Sequence, residues 1–170
     1  MPYQVTIERG DEKDISSVRE LWLGLHRHHA RVMPELAPYL SEDESWAERE
    51  SIYRRVLSRE KSVLLLARVG AANVGYAVGF VLTSEEKAWL DDTWVNTGSV
   101  GEVESLGVVP TMRGGGIGTL LLEQLEAELR ALGAQDLVLG VLPGNEQAIR
   151  LYARFGYRPT WMYLSKLAGR

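Results

Sequence analysis

The stretch Arg113-Gly114-Gly115-Gly116-Ile117-Gly118-Thr119 lies between a β-prone run, Val100 to Val109, and a helical run with Ile117, Leu121, Leu125, Leu129 and Leu132 on one face, stopped by Gly133. A strand that passes through glycines into a helix is a device for anions, because its backbone amides are clear of side chains and the helix dipole adds positive potential. Phosphate is the expected guest, and Arg113 at the mouth adds a full charge for a second phosphate group. A Walker loop needs G-x-x-x-x-G-K-S/T, and the chain has no Gly-Lys pair. The fingerprint G-x-G-x-x-G, begun at Gly114, fails at Thr119.

Downstream, Leu137 to Leu142 reads as a short buried strand closed by Pro143-Gly144. Asn145 stands at an N-cap position ahead of Ala148, Ile149, Leu151, Tyr152 and Phe155, with Gly156 ending that helix and Thr160 to Leu167 supplying a last strand. Upstream, Val63–Val69 and Val74–Leu82 read as an antiparallel hairpin turning at Gly70-Ala71-Ala72-Asn73, followed by a long excursion from Ser84 to Gly98 that carries Trp89 and Trp94. The chain begins with a strand-like alternation. Ile15, Val18, Leu21, Trp22, Leu25 and His29 then mark a helix with Asp14 as its expected cap. A second helix is expected from Ser45, boxed by Glu48, through Ile52, Tyr53, Val56 and Leu57, and the prolines of Met33–Tyr39 make a loop between the two. The predicted order β-α-α-β-β-β-α-β-α-β implies an α/β fold with a mixed sheet and helices on both faces.

At 170 residues and 45% hydrophobic, the chain is the size of one domain. A formal charge of −4 gives no bulk attraction to nucleic acid or anionic lipid, so neither is an expected partner. No apolar run approaches the roughly 20 residues that span a bilayer, and the N-terminal residues lack a secretory pattern, so a cytoplasmic location is expected. With no cysteine, disulfides, thiolate metal sites and thiol nucleophiles are excluded. His26, His28 and His29 lack the further ligands that a zinc site needs, and no metal is expected.

The sequence resembles the GNAT superfamily of N-acetyltransferases, whose pyrophosphate signature Q/R-x-x-G-x-G/A is matched by Arg113, Gly116 and Gly118. The resemblance extends through Glu102 to Pro110 before the loop and Asn145 to Tyr157 after it. It implies a single domain over 1–170 with splayed central strands, an acetyl-CoA-binding core at 99–157 and acceptor-side helices within 1–60. It also implies that acetyl-CoA is the cosubstrate, with its pyrophosphate on the amides of Gly114, Gly115, Gly116, Ile117, Gly118 and Thr119. Leu106 and Val108 would pair their backbones with the pantetheine arm, and Asn145 would contact it. An amine of a small molecule or peptide is the expected acceptor, a homodimer follows the family's habit, and a non-catalytic acyl-CoA-binding module is the alternative.

An alkylammonium cannot attack a thioester until it loses a proton, and Glu102 and Glu104 are the candidates to take it. Two apart on one strand, they share the side of Leu106 and Val108 unless a bulge intervenes. Tyr152 matches the family tyrosine that protonates the departing thiolate and lies beside the cofactor. Without a cysteine, direct attack in a ternary complex is the simplest route, with the Val108 amide as the family-based oxyanion donor.

Overall fold

The computed structural model describes residues 4–83 and 98–167. Its elements run β1 (Thr6–Gly10), a 3-10 segment (Glu12–Val18), α1 (Arg19–Val32), α2 (Glu42–Leu57), β2 (Ser62–Val69), β3 (Ala72–Val81), β4 (Val100–Val108), α3 (Ile117–Ala131), β5 (Asp136–Leu139) and α4 (Glu146–Arg154). The strands form one sheet in the order β1-β2-β3-β4-β5, antiparallel except for the parallel β4–β5 pair.

Alternation sorts the core into two layers. Leu64, Leu66, Tyr76, Val78 and Phe80 pack with Trp22, Leu23, Tyr53 and Val56 of α1 and α2. Val63, Leu65, Ala67, Ala77 and Val103 pack with Ile117, Leu121, Leu122, Leu125 and Leu129 of α3. Helices cover both faces, so β2 and β3 are apolar almost throughout. No helix among the described residues is long and apolar enough to cross a membrane.

Several local expectations are corrected. Ser41 caps α2 in a box with Glu44, rather than Ser45 with Glu48. Both serines satisfy S-x-x-E, and the helix takes the earlier one because Ser45 is then buried inside it, accepting a 3.1 Å bond from Trp22 Nε1. Asp11, not Asp14, caps the first helical turns, and Asp14 closes the box from its third position. The hairpin turn shortens to Gly70-Ala71, with Gly70 at φ 57°. β5 ends at Leu139 rather than Leu142. No strand forms at 160–167, where Met162, Tyr163 and Leu164 are 77%, 81% and 89% exposed. A β-prone run becomes a strand only where a neighbour completes its ladder. The excursion at 84–97, with Trp89 and Trp94, lies outside the described residues.

β4 carries a bulge. Val78 pairs with Ser105 and Gly79 with Val103, which leaves Glu104 as the extra residue. Above it, Leu106 and Val108 join the α3 layer, whereas Ser105 enters the α1/α2 layer, as does Phe80, the partner of Glu102. The two glutamates therefore do not share the face of Leu106 and Val108, because the extra residue inverts the alternation between them.

In that layer the hydroxyls of Tyr53, Tyr76 and Ser105 close a buried ring, with Tyr53 donating to Ser105 at 2.9 Å and the other two sides at 2.9 and 2.7 Å. Each hydroxyl gives one bond and takes one, so no polar group is stranded. Tyr53→Phe breaks the ring while keeping the ring volume, and equilibrium urea unfolding is expected to read a loss of about 1–3 kcal/mol.

Candidate active site

The β4–β5 ladder ends at Val103 paired with Leu139, and β4 runs on to Val108 without β5 beside it. A parting thus opens along one edge of β4 beyond Val103, where β5 no longer supplies a ladder partner. From Val108 the chain turns through Pro110–Met112 to Arg113, Gly114 at φ 78° and Gly116 at φ 87°. The left-handed Gly116 is the N-cap of α3 and gives it no side-chain cap. The first-turn amides of α3 therefore keep their capacity for an outside acceptor.

Gly118 marks where the surrounding elements meet. A β-carbon placed there would come within 3.6 Å of Leu151 on α4 and within 3.8 and 3.9 Å of Leu106 and Val108 on β4. Gly114 to Thr119, Leu106, Val108 and the α4 face thus converge at the head of α3. Arg113 Nε donates to the Val108 carbonyl at 3.0 Å, and burial, followed by the charge of Arg31, lowers its pKa below the ordinary value.

Asn145 is the α4 N-cap, its Oδ1 accepting from Ala148 N at 3.4 Å and from His28 Nε2 at 3.1 Å. Arg31 Nη2 lies 3.1 Å from His28 Nδ1. The end of α1 presses on the loop before α4 so closely that a β-carbon at Gly144 would collide with the Val32 carbonyl oxygen. Only glycine permits that approach.

On the opposite face, Glu104 meets Arg49 Nη1 at 2.5 Å, with each side chain about one-fifth exposed, at 19%. The Arg49 guanidinium lies 3.9 Å over the Trp22 ring and 5.5 Å from that of Tyr53. Arg49 escaped the sequence reading, although its place one turn before Tyr53 put it on the inward face of α2. Glu102 is half-buried on the same face, one residue inside the paired part of β4. His29 packs edge-on to Trp22 at 6.2 Å, and burial first, then the neighbouring His28, Arg49 and His26, lowers its pKa to about 4. His26 bonds the Leu40 carbonyl at 3.0 Å. Tyr152, on α4, stands 5.9 Å from the Tyr157 ring, and its phenol is pushed up to about 12, chiefly by burial and secondarily by Tyr76.

The structure thus brings the glycine loop, Leu106, Val108 and α4 together, but leaves Glu104 and Glu102 across the sheet from the side chains of Leu106 and Val108. Among the described residues, no three His, Cys, Asp or Glu side chains gather as a metal-ligand set.

Comparison with known proteins agrees with this architecture. A curated relative, the uncharacterized N-acetyltransferase YdgE of Bacillus subtilis (strain 168), is 38% identical over 64 residues, which are 38% of this chain and 41% of that protein. The fold is shared by the GCN5-related N-acetyltransferase from Ralstonia eutropha JMP134, with a TM-score of 0.75 at 20% identity, covering 98% of this chain and 100% of that one. It is also shared by the aminoglycoside N-acetyltransferase AAC(6')-Iy in complex with CoA, with a TM-score of 0.68 at 14% identity, covering 99% and 97% of the two chains. The family model for the acetyltransferase (GNAT) family matches residues 22–157, from Trp22 of α1 through the glycine loop to Tyr157, and the chain belongs to that family.

Proposed function

We propose that this chain is an acetyl-CoA-dependent N-acetyltransferase, in which a primary amine of a small molecule or peptide attacks the acetyl thioester directly in a ternary complex. The observation that carries the reading is the parting of β4 from β5, which opens onto an α3 N-terminus left without a side-chain cap. An extended arm ending in a pyrophosphate fits both features, the arm against the free β4 edge and the anion at the helix head. The amides of Gly114 to Thr119 and the Arg113 guanidinium would hold the pyrophosphate, the backbones of Leu106 and Val108 the pantetheine, and Asn145 the arm beside α4. Bound there, acetyl-CoA supplies the electrophilic carbonyl.

Glu104 is the first β4 residue beyond the paired segment, at the mouth of the parting, with Arg49 fixing its carboxylate. In this reading it takes the ammonium proton, directly or through a water. The amine nitrogen then bonds to the carbonyl carbon, the Val108 amide faces the developing oxyanion, and the carbon–sulfur bond breaks as the nitrogen gives up its second proton to solvent. The thiolate takes its proton from the Tyr152 phenol. Mixing the protein with acetyl-CoA and a panel of primary amines is expected to release free thiol saturably. CoA binding without thiol release for any amine would instead favour an acyl-CoA-binding module.

Tyr152→Phe is expected to lower turnover by roughly 10² to 10⁴. With its phenol at about 12, the wild-type rate should show no descending limb as pH passes 10, where an ordinary tyrosine would lose its proton. A kcat profile falling near pH 10 would remove Tyr152 from the role.

Glu104→Gln is expected to reduce turnover by about 10²-fold near neutral pH and to recover partly in alkali, where the free amine is abundant. Glu102→Gln, within the paired ladder, should cost far less. Steady-state pH profiles of the two variants decide between them, and the reverse ranking would assign the base to Glu102.

A further inference from the structure

We propose that Arg31, on the last turn of α1, is a second phosphate-binding residue of the cofactor site, and that His28 is the positioning residue that aims it. The inference rests on the functional reading above. It gives the cofactor a side chain from the part of the chain expected to serve the acceptor.

The other arginines of α1 have acidic partners from α2. Arg19 meets Asp43 at 2.7 Å, and Arg27 meets Glu42 at 2.6 Å. Arg31 departs from that pattern. Its Nη2 donates to His28 Nδ1 at 3.1 Å, and among the described residues no carboxylate pairs with it. A guanidinium can only donate, so Nδ1 accepts and the imidazole proton sits on Nε2, directed at Asn145 Oδ1 3.1 Å away. The cap bond from Ala148 N to the same Oδ1 orients that amide. Arg31 is therefore tied through His28 to the α4 cap, and the contact of Val32 with Gly144 holds the two backbones together.

Arg113 is the other end of the arrangement. It too has no carboxylate partner among the described residues, and Arg31 stands close enough for its charge to act on it. Two like charges within reach of each other repel in the bare protein. A pyrophosphate between them turns that repulsion into attraction, and planar donors suit its oxygens.

Isothermal titration of the full chain with CoA, dephospho-CoA and pantetheine tests the assignment, with thermal melting to verify that each variant is folded. Arg31→Ala is expected to weaken CoA and dephospho-CoA binding about tenfold or more while leaving pantetheine, which lacks phosphate, unaffected. Arg31→Lys should recover part of the loss. His28→Ala should weaken the same two ligands, and His28→Gln should restore them, since its amide can accept from Arg31 and donate to Asn145. Equal losses for both nucleotides support contact with the pyrophosphate, and a loss confined to CoA supports contact with the 3′-phosphate. Unchanged CoA affinity in Arg31→Ala, or a pantetheine loss as large as that of CoA, overturns the proposal. Wild-type protein that binds no CoA overturns the functional reading beneath it, an outcome separate from either.

Discussion

The ladder between β4 and β5 closes at Val103 and Leu139, and β4 goes on for the length of Glu104 to Val108 without that neighbour. Backbone amides and carbonyls demand partners, and along this stretch of the β4 edge β5 supplies none. Both of its ends are built. At one end the Glu104 bulge adds local twist and changes which face each side chain meets. At the other, the strand delivers the chain into the glycine turn and the uncapped head of α3. The apolar layer under α3 anchors the helix, with Ile117, Leu121, Leu125 and Leu129 at most 1% exposed, so its first-turn amides hold a set direction.

The opposite layer handles charge by supplying partners. Glu104 is paired with Arg49, Arg49 lies on the Trp22 ring, and Trp22 is bonded through Nε1 to Ser45. Each link satisfies a polar group that burial would otherwise penalise by a few kcal/mol. The adjoining hydroxyl ring of Tyr53, Tyr76 and Ser105 does the same below the bulge, and burial raises both phenols above their ordinary pKa. A carboxylate at the mouth of the parting is thus oriented by Arg49, itself held over the Trp22 ring.

Much of this was legible in the chain. The glycine cluster, the periodicity of α3, the Asn145 cap and the β2–β3 hairpin follow from local rules, since turn chemistry and burial patterns are written in adjacent residues. Arg49 was not read, because an arginine on an amphipathic helix ordinarily faces water and only the packing of α2 against β4 gives it Glu104. The face of Glu102 and Glu104 hung on whether a bulge intervened, and that depends on the register with β3, since nothing local to Glu104 distinguishes it from an ordinary strand residue. The strand expected at 160–167 failed for the reverse reason: its residues are β-prone, but no neighbour pairs with it among the described residues.

Nine of the ten expected elements, the glycine turn before α3 and the exclusion of thiol chemistry follow from residue type and short-range spacing alone. Only the tertiary structure decided where β5 stops beside β4, which face the glutamates take, and that His28 and Arg31 on α1 reach Asn145 on α4. His28 and Arg31 lie more than a hundred positions from Asn145, and their meeting follows from the register of the sheet and the docking of helices on its two faces. No local pattern encodes that geometry.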